Sequence, residues 1–168
     1  METAKNTEIR EKLFKALDGH SNDLVNTKPS PEEWSPMQIL EHLYLMETTV
    51  ARKMREELQK PEREKAKPKP IALTVNRLVK VEAPDFVQPT DFYQTIPEIK
   101  DKLAESRRSL DSVFSEAEPE ALENRSMKHP VFGQVPLNQW YAFVGLHEKR
   151  HLKQLELTLK KVSKMLHS

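Results

Sequence analysis

The sequence predicts an all-α protein, a four-helix bundle with one long crossover between its second and third helices. Three observations carry this expectation. Only three glycines occur in 168 residues, at positions 19, 133 and 145, too few for a sheet built on tight turns. Apolar residues recur at helical intervals in four separate segments. Six of the twelve prolines, at 61, 68, 70, 84, 89 and 97, fall in one stretch that reads as irregular.

The elements follow in order. Ile9, Leu13, Leu17 and Leu24, with Phe14 beside them, predict a first helix from about Thr7 to Val25, ended by the break at Asn26 to Pro31. Ser35-Pro36 suits the start of a second helix, Ser35 as N-cap and Pro36 at the first helical position. Its stripe is Ile39, Leu43, Met46 and Val50, continued by Met54 and Leu58. Residues 61–97 read as a crossover with one short helical turn, and Lys60 to Pro70 as a solvated, extended segment. A connection of that length lets the next helix run parallel to the second. The third helix is expected over about Thr95 to Ala117, with Pro97 in its first turn and Ile99, Leu103, Leu110, Val113 and Phe114 on its core face. His129 to Pro136 reads as a compact loop, and the fourth helix runs from near Pro136 to about Leu166. No strand and no internal repeat is expected, and residues 1–168 read as one domain with 61–93 as its variable crossover.

Composition narrows the function. Hydrophobic residues make up 37% and charged residues 32%, with 27 basic against 26 acidic side chains and a net charge of +1. The two signs are interleaved, as in Arg52-Lys53-Met54-Arg55-Glu56-Glu57, so no nucleic-acid partner is expected. The absence of cysteine excludes disulfides, thiolate metal sites and cysteine nucleophiles, so any metal must be held by nitrogen and oxygen. The polar N-terminus lacks a secretory apolar stretch, and the run near Tyr141 to Leu146 is too short to span a bilayer. A cytoplasmic protein without a membrane partner is expected.

The chemistry concentrates in histidines. His147 and His151 stand four apart, one turn apart on one helical face. That face is apolar, running Trp140, Val144, His147, His151, Leu155. His42 breaks the apolar stripe of the second helix in the same way. An imidazole left unsatisfied on a core face costs roughly 1–3 kcal/mol. If the two stripes pack together, three imidazoles converge, and three histidines with an open position form a reactive metal site. The bland alternative is three core histidines satisfied by hydrogen bonds. His20 and His167 read as exposed, and His129 as a loop residue making a local hydrogen bond, with a place at the mouth of the site as the lesser reading.

His147-Glu148-Lys149-Arg150-His151 also fits H-E-x-x-H, in which Glu148 is the general base of a zinc protease. The protease reading is disfavoured. Only 17 residues follow His151, no third ligand lies downstream except tail His167, and no strand is expected to bind a peptide. Glu148 can still act on a metal-bound water or support a ligand from behind. Glu41 and Glu47 flank His42 and read first as exposed acids, with Glu41 as a candidate support for His42. Trp34 and Trp140 are expected at bundle ends, and Met37, Met46, Met54 and Met127 as core filler.

Two blocks resemble the DinB/YfiT-like superfamily of bacterial proteins, often labelled metal-dependent hydrolases. One is Trp34-Ser35-Pro36-Met37-Gln38-Ile39-Leu40-Glu41-His42-Leu43. The other runs from His129-Pro130-Val131-Phe132-Gly133 through Trp140 to His147-Glu148-Lys149-Arg150-His151-Leu152-Lys153-Gln154. The resemblance implies a four-helix bundle with parallel second and third helices. It implies a divalent metal, zinc or nickel, on His42, His147 and His151, and homodimers. Some relatives are similar to thiol S-transferases or isomerases that use a low-molecular-weight thiol; with no cysteine here, such a thiol would be a small cofactor.

Three functions compete. The first is a metal-dependent enzyme acting on a small-molecule substrate, a hydrolase or thiol S-transferase. The second is a non-catalytic stress-response module that binds metal or a small ligand. The third is a bundle with an inert core metal. A pocket beside the open position favours the first, and a fourth protein ligand favours the third.

Overall fold

A computed structural model describes residues 2–75 and 85–167. Four long helices make the bundle: α1 (Glu2–Ala16), α3 (Pro36–Gln59), α4 (Ile96–Glu116) and α6 (Trp140–His167), with short α2 (Asn22–Val25) and α5 (Pro119–Glu123) between them. The start of α3 is built as the Ser-Pro pair suggests. Ser35 Oγ accepts from the Gln38 N–H at 3.1 Å, and the Gln38 side chain accepts from the Ser35 N–H at 2.9 Å. This reciprocal pairing satisfies two otherwise orphaned donors. Thr95 caps α4 by accepting from the Glu98 N–H at 3.2 Å.

Cross-helix partners give the helix directions. Along α3 and α4, Tyr44 faces Lys102, Glu47 meets Ser106 and Arg55 meets Ser109, so both chains advance together and the helices are parallel. Glu33 pairs with Lys161 and His42 with His147, so α6 runs antiparallel to α3. Asn6 meets Tyr141 and Arg10 meets Glu148, so α1 runs parallel to α6. Parallel neighbours demand a long connection. Residues 61–75 and 85–95 are its described parts, and residues 76–84 of the expected crossover lie outside the described residues.

Four expectations need correction. The first helix is not continuous to Val25: α1 ends at Ala16, Gly19 takes a left-handed φ of 80°, and Ser21 caps α2. Glycine enters that region without the penalty a Cβ incurs, so a helix stops there readily. Strands do occur. Residues Ser126–His129 (β1) pair antiparallel with Gly133–Pro136 (β2), Met127 opposite Val135. Each strand has four residues, too few for alternation to register in sequence. The hairpin is held by packing on α6, where the Trp140 indole N–H donates to the Val135 carbonyl at 3.1 Å. Among the described residues the crossover carries two 3₁₀ turns, Ile71–Val75 and Asp85–Val87, rather than one. Its proline-rich start is anchored as well as solvated: Lys69 and Gln139 exchange hydrogen bonds of 2.8 and 3.0 Å, and Arg125 donates to the Glu57 and Lys60 carbonyls.

Two apolar clusters form the core. One gathers Leu13, Leu17, Leu40, Leu43, Leu103, Leu152 and Leu155, the other Val50, Met54, Leu110, Val113, Trp140, Phe143 and Val144. A polar layer separates them between Leu43 and Val50 on α3, Leu103 and Leu110 on α4, and Val144 and Leu152 on α6. It comprises Arg10, Glu47, Ser106, Arg107 and Glu148.

Gly145 lets α1 approach α6. A Cβ there would sit 1.9 Å from Asn6 Oδ1 and 2.6 Å from Asn6 Cγ. Asn6 cannot swing aside freely, because it is 2% exposed and its amide donates to the Tyr141 carbonyl at 2.8 Å. Gly145→Ala should gain about 1 kcal/mol of helix propensity. It should lose about 2–4 kcal/mol to overpacking and the broken hydrogen bond. The expected net is a destabilisation of about 1–3 kcal/mol in denaturant unfolding, smaller in an Asn6→Ala background.

Candidate metal centre

His42 leaves α3, and His147 and His151 leave α6, where these antiparallel helices meet. One ligating atom from each lies within 4.8 Å of the others. His42 and His147 are 3% and 8% exposed, so neither ring relies on bulk water. The His42 and His147 Nε2 atoms face each other at 3.2 Å.

The surroundings fix the tautomers of His42 and His151. His42 Nδ1–H donates to the Val87 carbonyl at 2.9 Å, leaving its Nε2 as a lone pair. His151 Nδ1–H donates to Gln154 Oε1 at 2.7 Å, leaving Nε2 in the same condition. Burial pushes the His147 pKa well below the ordinary histidine range, and the neighbouring His151 and His42 push it further. Burial also lowers His42, against the opposing hydrogen bond to Val87. With His147 in its Nε2–H tautomer the 3.2 Å contact is an N–H···N hydrogen bond to His42; with His147 protonated on Nδ1 instead, three lone pairs converge, an arrangement that suits a cation.

That donor set fits a divalent ion. Tetrahedral zinc with bonds of ~2.0–2.1 Å needs ligating nitrogens about 3.3–3.4 Å apart, close to the His42–His147 separation. The hydrogen bonds from behind, to Val87 and Gln154, hold two rings as metal-binding histidines are usually held. Among the described residues no fourth histidine or carboxylate joins the cluster.

The centre opens on a cavity of about 930 Å³. Phe132, Trp140 and Phe143 supply an aromatic wall, and Met46, Val50 and Met127 extend it. Trp34 belongs here rather than only at a bundle end, its ring centroid 5.1 Å from that of His42. His129 lines the cavity from β1, so the lesser of its two sequence readings matches its position, and it makes the expected local hydrogen bonds too. His20 and His167 lie away from the centre, at a shallow depression with Lys160 and Lys164.

Glu148 is elsewhere. Its carboxylate accepts from Arg10 Nη2 at 2.7 Å and from Arg10 Nε at 3.0 Å, and it does not line the cavity. One residue along a helix rotates the side chain by about 100°, so Glu148 faces the polar layer while His147 faces the ion site. The expectation that Glu148 acts on a metal-bound water does not match this placement. Glu41 and Glu47 are not exposed acids either. Glu41, 8% exposed, accepts from the Thr90 N–H at 3.1 Å and ties the crossover to α3. Glu47, fully buried, binds Arg10 and Arg107. Sequence reasoning gave no role to Arg10, Arg107, Gln154 or the Val87 carbonyl, and read Glu47 as exposed. Only Glu47 left a signal, standing four residues after Leu43 and three before Val50 on the apolar stripe.

A profile of the DinB superfamily matches residues 6–155. The chain belongs to the DinB superfamily. It is 31% identical over 157 residues to the uncharacterized protein YuaE of Bacillus subtilis (strain 168), covering 94% of this chain and 96% of that protein. Its fold is similar to that of TT2238, a crystallographically determined four-helix bundle protein, with a TM-score of 0.62 and 20% identity over 92% of this chain and 94% of the other. No helix among the described residues is long and apolar enough to cross a membrane.

The low histidine pKa values set a pH dependence for the metal-free protein. The folded chain keeps His42 and His147 neutral where the unfolded chain, titrating near about 6.5, binds protons. Stability is therefore unaffected by these groups above that value and falls as pH drops below it, by up to about 1.4 kcal/mol per pH unit for each group. Urea unfolding from about pH 8 to pH 5.5 should show the decline, and His147→Phe should flatten it. An equal slope in both proteins would count against buried neutral imidazoles.

Proposed function

We propose that this DinB-superfamily protein is a metal-dependent enzyme in which His42, His147 and His151 hold a divalent ion, zinc or nickel, that activates water or a low-molecular-weight thiol. The observation that carries the proposal is the convergence of three imidazoles, with no fourth ligand among the described residues, beside a cavity of about 930 Å³. When bound, the ion acts as a Lewis acid and lowers the pKa of a water or thiol at its open position. Val87 and Gln154 keep the His42 and His151 rings oriented with Nε2 inward. The aromatic wall of Phe132, Trp140 and Phe143 excludes water and orients the apolar part of a small-molecule substrate. With no cysteine in the chain, a thiol must come from a small cofactor. Hydrolysis and thiol S-transfer both suit the site, and the reading keeps a cytoplasmic homodimer as its setting.

A second reading is a non-catalytic module that sequesters metal or a small ligand. It draws on Glu148, whose engagement by Arg10 removes the obvious carboxylate base from the cavity.

The deciding experiment measures metal by mass spectrometry on protein purified without an affinity tag, alongside His42→Ala and His147→Ala. About one divalent ion per chain in the wild type, lost in both variants, is expected. Thiol-transfer and hydrolysis assays on the loaded protein then separate enzyme from sequestration module. A folded wild type that takes up neither zinc nor nickel would overturn the metal reading.

A further inference from the structure

His129 is the cavity histidine that the metal reading leaves unused. It ends β1, opposite Gly133 across the hairpin. Its ring is fixed on three sides, with centroids 4.9 Å from Phe132, 4.9 Å from Phe143 and 6.0 Å from Trp140. Its Nδ1 accepts two backbone hydrogen bonds, from the Val131 N–H at 3.0 Å and the Phe132 N–H at 3.3 Å. A nitrogen that accepts cannot carry the proton, so the neutral ring is protonated on Nε2. Burial lowers the His129 pKa and favours the neutral ring. Among the described residues Nε2–H has no protein acceptor, although the ring lines the cavity.

We propose that His129 Nε2–H is the fixed hydrogen-bond donor that orients a small carboxylate ligand whose apolar or aromatic body lies on Phe132, Phe143 and Trp140. The proposal rests on reading the cavity as a ligand site and is independent of whether a metal is bound. A backbone-anchored ring loses little freedom on donating, so its hydrogen bond is preorganised. The charge of the lining points to an anion: Lys53, Lys128, Arg150 and Lys161 stand against Glu32 and Glu33, and Lys161 is paired with Glu33. The aromatic wall and the donor belong to the same hairpin-to-α6 corner, so one ligand can engage both.

Phenylacetate is a suitable probe, titrated into metal-free protein and followed by two-dimensional proton–nitrogen NMR. Two variants separate donor from structural support. In His129→Asn the side-chain oxygen takes the place of Nδ1 as the turn's acceptor, and the donor is lost. In His129→Gln the amide N–H replaces Nε2–H, and the turn acceptor is lost. The expected results are saturable binding in the wild type, roughly tenfold weaker binding in His129→Asn, and binding within about twofold in His129→Gln. A purely structural role predicts the reverse order. Long-range spectra of the His129 ring should show the Nε2–H tautomer. Phenethylamine, with an ammonium in place of the carboxylate, should bind at least about tenfold more weakly. A Nδ1–H tautomer, unchanged affinity in His129→Asn, equal binding of phenethylamine, or no saturable shift with phenylacetate would each overturn the proposal. Zinc calorimetry on the same variants keeps the two readings apart. Both variants should keep the wild-type zinc affinity, and a wild type blind to zinc would sink the metal reading alone.

Discussion

Glu47→Ala should lower stability by about 3–5 kcal/mol, the largest effect expected of any single substitution in the bundle. The Glu47 carboxylate is fully buried and accepts from Arg10 at 3.1 Å and Arg107 at 2.6 Å, and it also holds the Ser106 hydroxyl. Its removal leaves the buried Arg10 guanidinium and the part-buried Arg107 guanidinium on the single carboxylate of Glu148. Burial acts to lower the Arg10 pKa, but the Glu148 and Glu47 carboxylates more than offset this and raise it, so Arg10 stays charged in either protein. An uncompensated buried charge costs far more than an intact pair contributes, which is why deleting one partner is severe. Denaturant unfolding measures the loss directly. Adding Arg10→Met should recover part of it, because the orphaned charge is then gone. A loss below about 1 kcal/mol in Glu47→Ala would mean that water reaches the layer and screens it. The network also matters for the ion site. Arg10 grips Glu148, the residue after His147, and Glu47, five residues beyond His42, so the layer sets how the two ligand-bearing helices face each other.

Zinc should stabilise the wild type by about 2.7 kcal/mol at a hundredfold excess over its dissociation constant. For a chain of this length that is a rise of roughly 5–10 °C in the unfolding midpoint. The gain arises because three histidines are preassembled in the folded chain and scattered in the unfolded one. His42→Ala and His147→Ala should each lose most of the shift, since either leaves two imidazoles and no matched third donor. His20→Ala, away from the centre, should keep all of it. Thermal scans with and without zinc make the comparison. A shift that survives in His147→Ala would place the ion elsewhere on the chain.

The candidate site was readable where the polar exception stood on a long apolar stripe. His147 and His151 interrupt a 28-residue helix at four-residue spacing, and His42 interrupts a 24-residue one, so helical geometry alone puts them on core faces. Glu148 lies outside the cavity because a motif orders residues along a chain, whereas a helix turns each one by about 100°. The supports were invisible for a different reason. Val87 offers only a backbone carbonyl from the crossover, and no side-chain pattern announces a carbonyl. His129 was readable as a loop histidine, but its tautomer depends on two backbone N–H groups of a turn that exists only once the hairpin has formed.

By itself, then, the amino-acid order determined the four helices, the Ser35 cap, the parallel pairing that a long crossover permits and the three histidines on facing stripes. These are consequences of 3.6-residue periodicity, proline and capping chemistry, all local in the chain. Only the tertiary structure decided that Arg10, 37 residues from Glu47 and 138 from Glu148, would close a buried charge layer. It alone decided that a four-residue strand would lean on Trp140 and that the His42 ring would find the Val87 carbonyl. Each of these depends on groups brought together across the bundle, where burial makes an unpaired charge or N–H costly and so selects the partner.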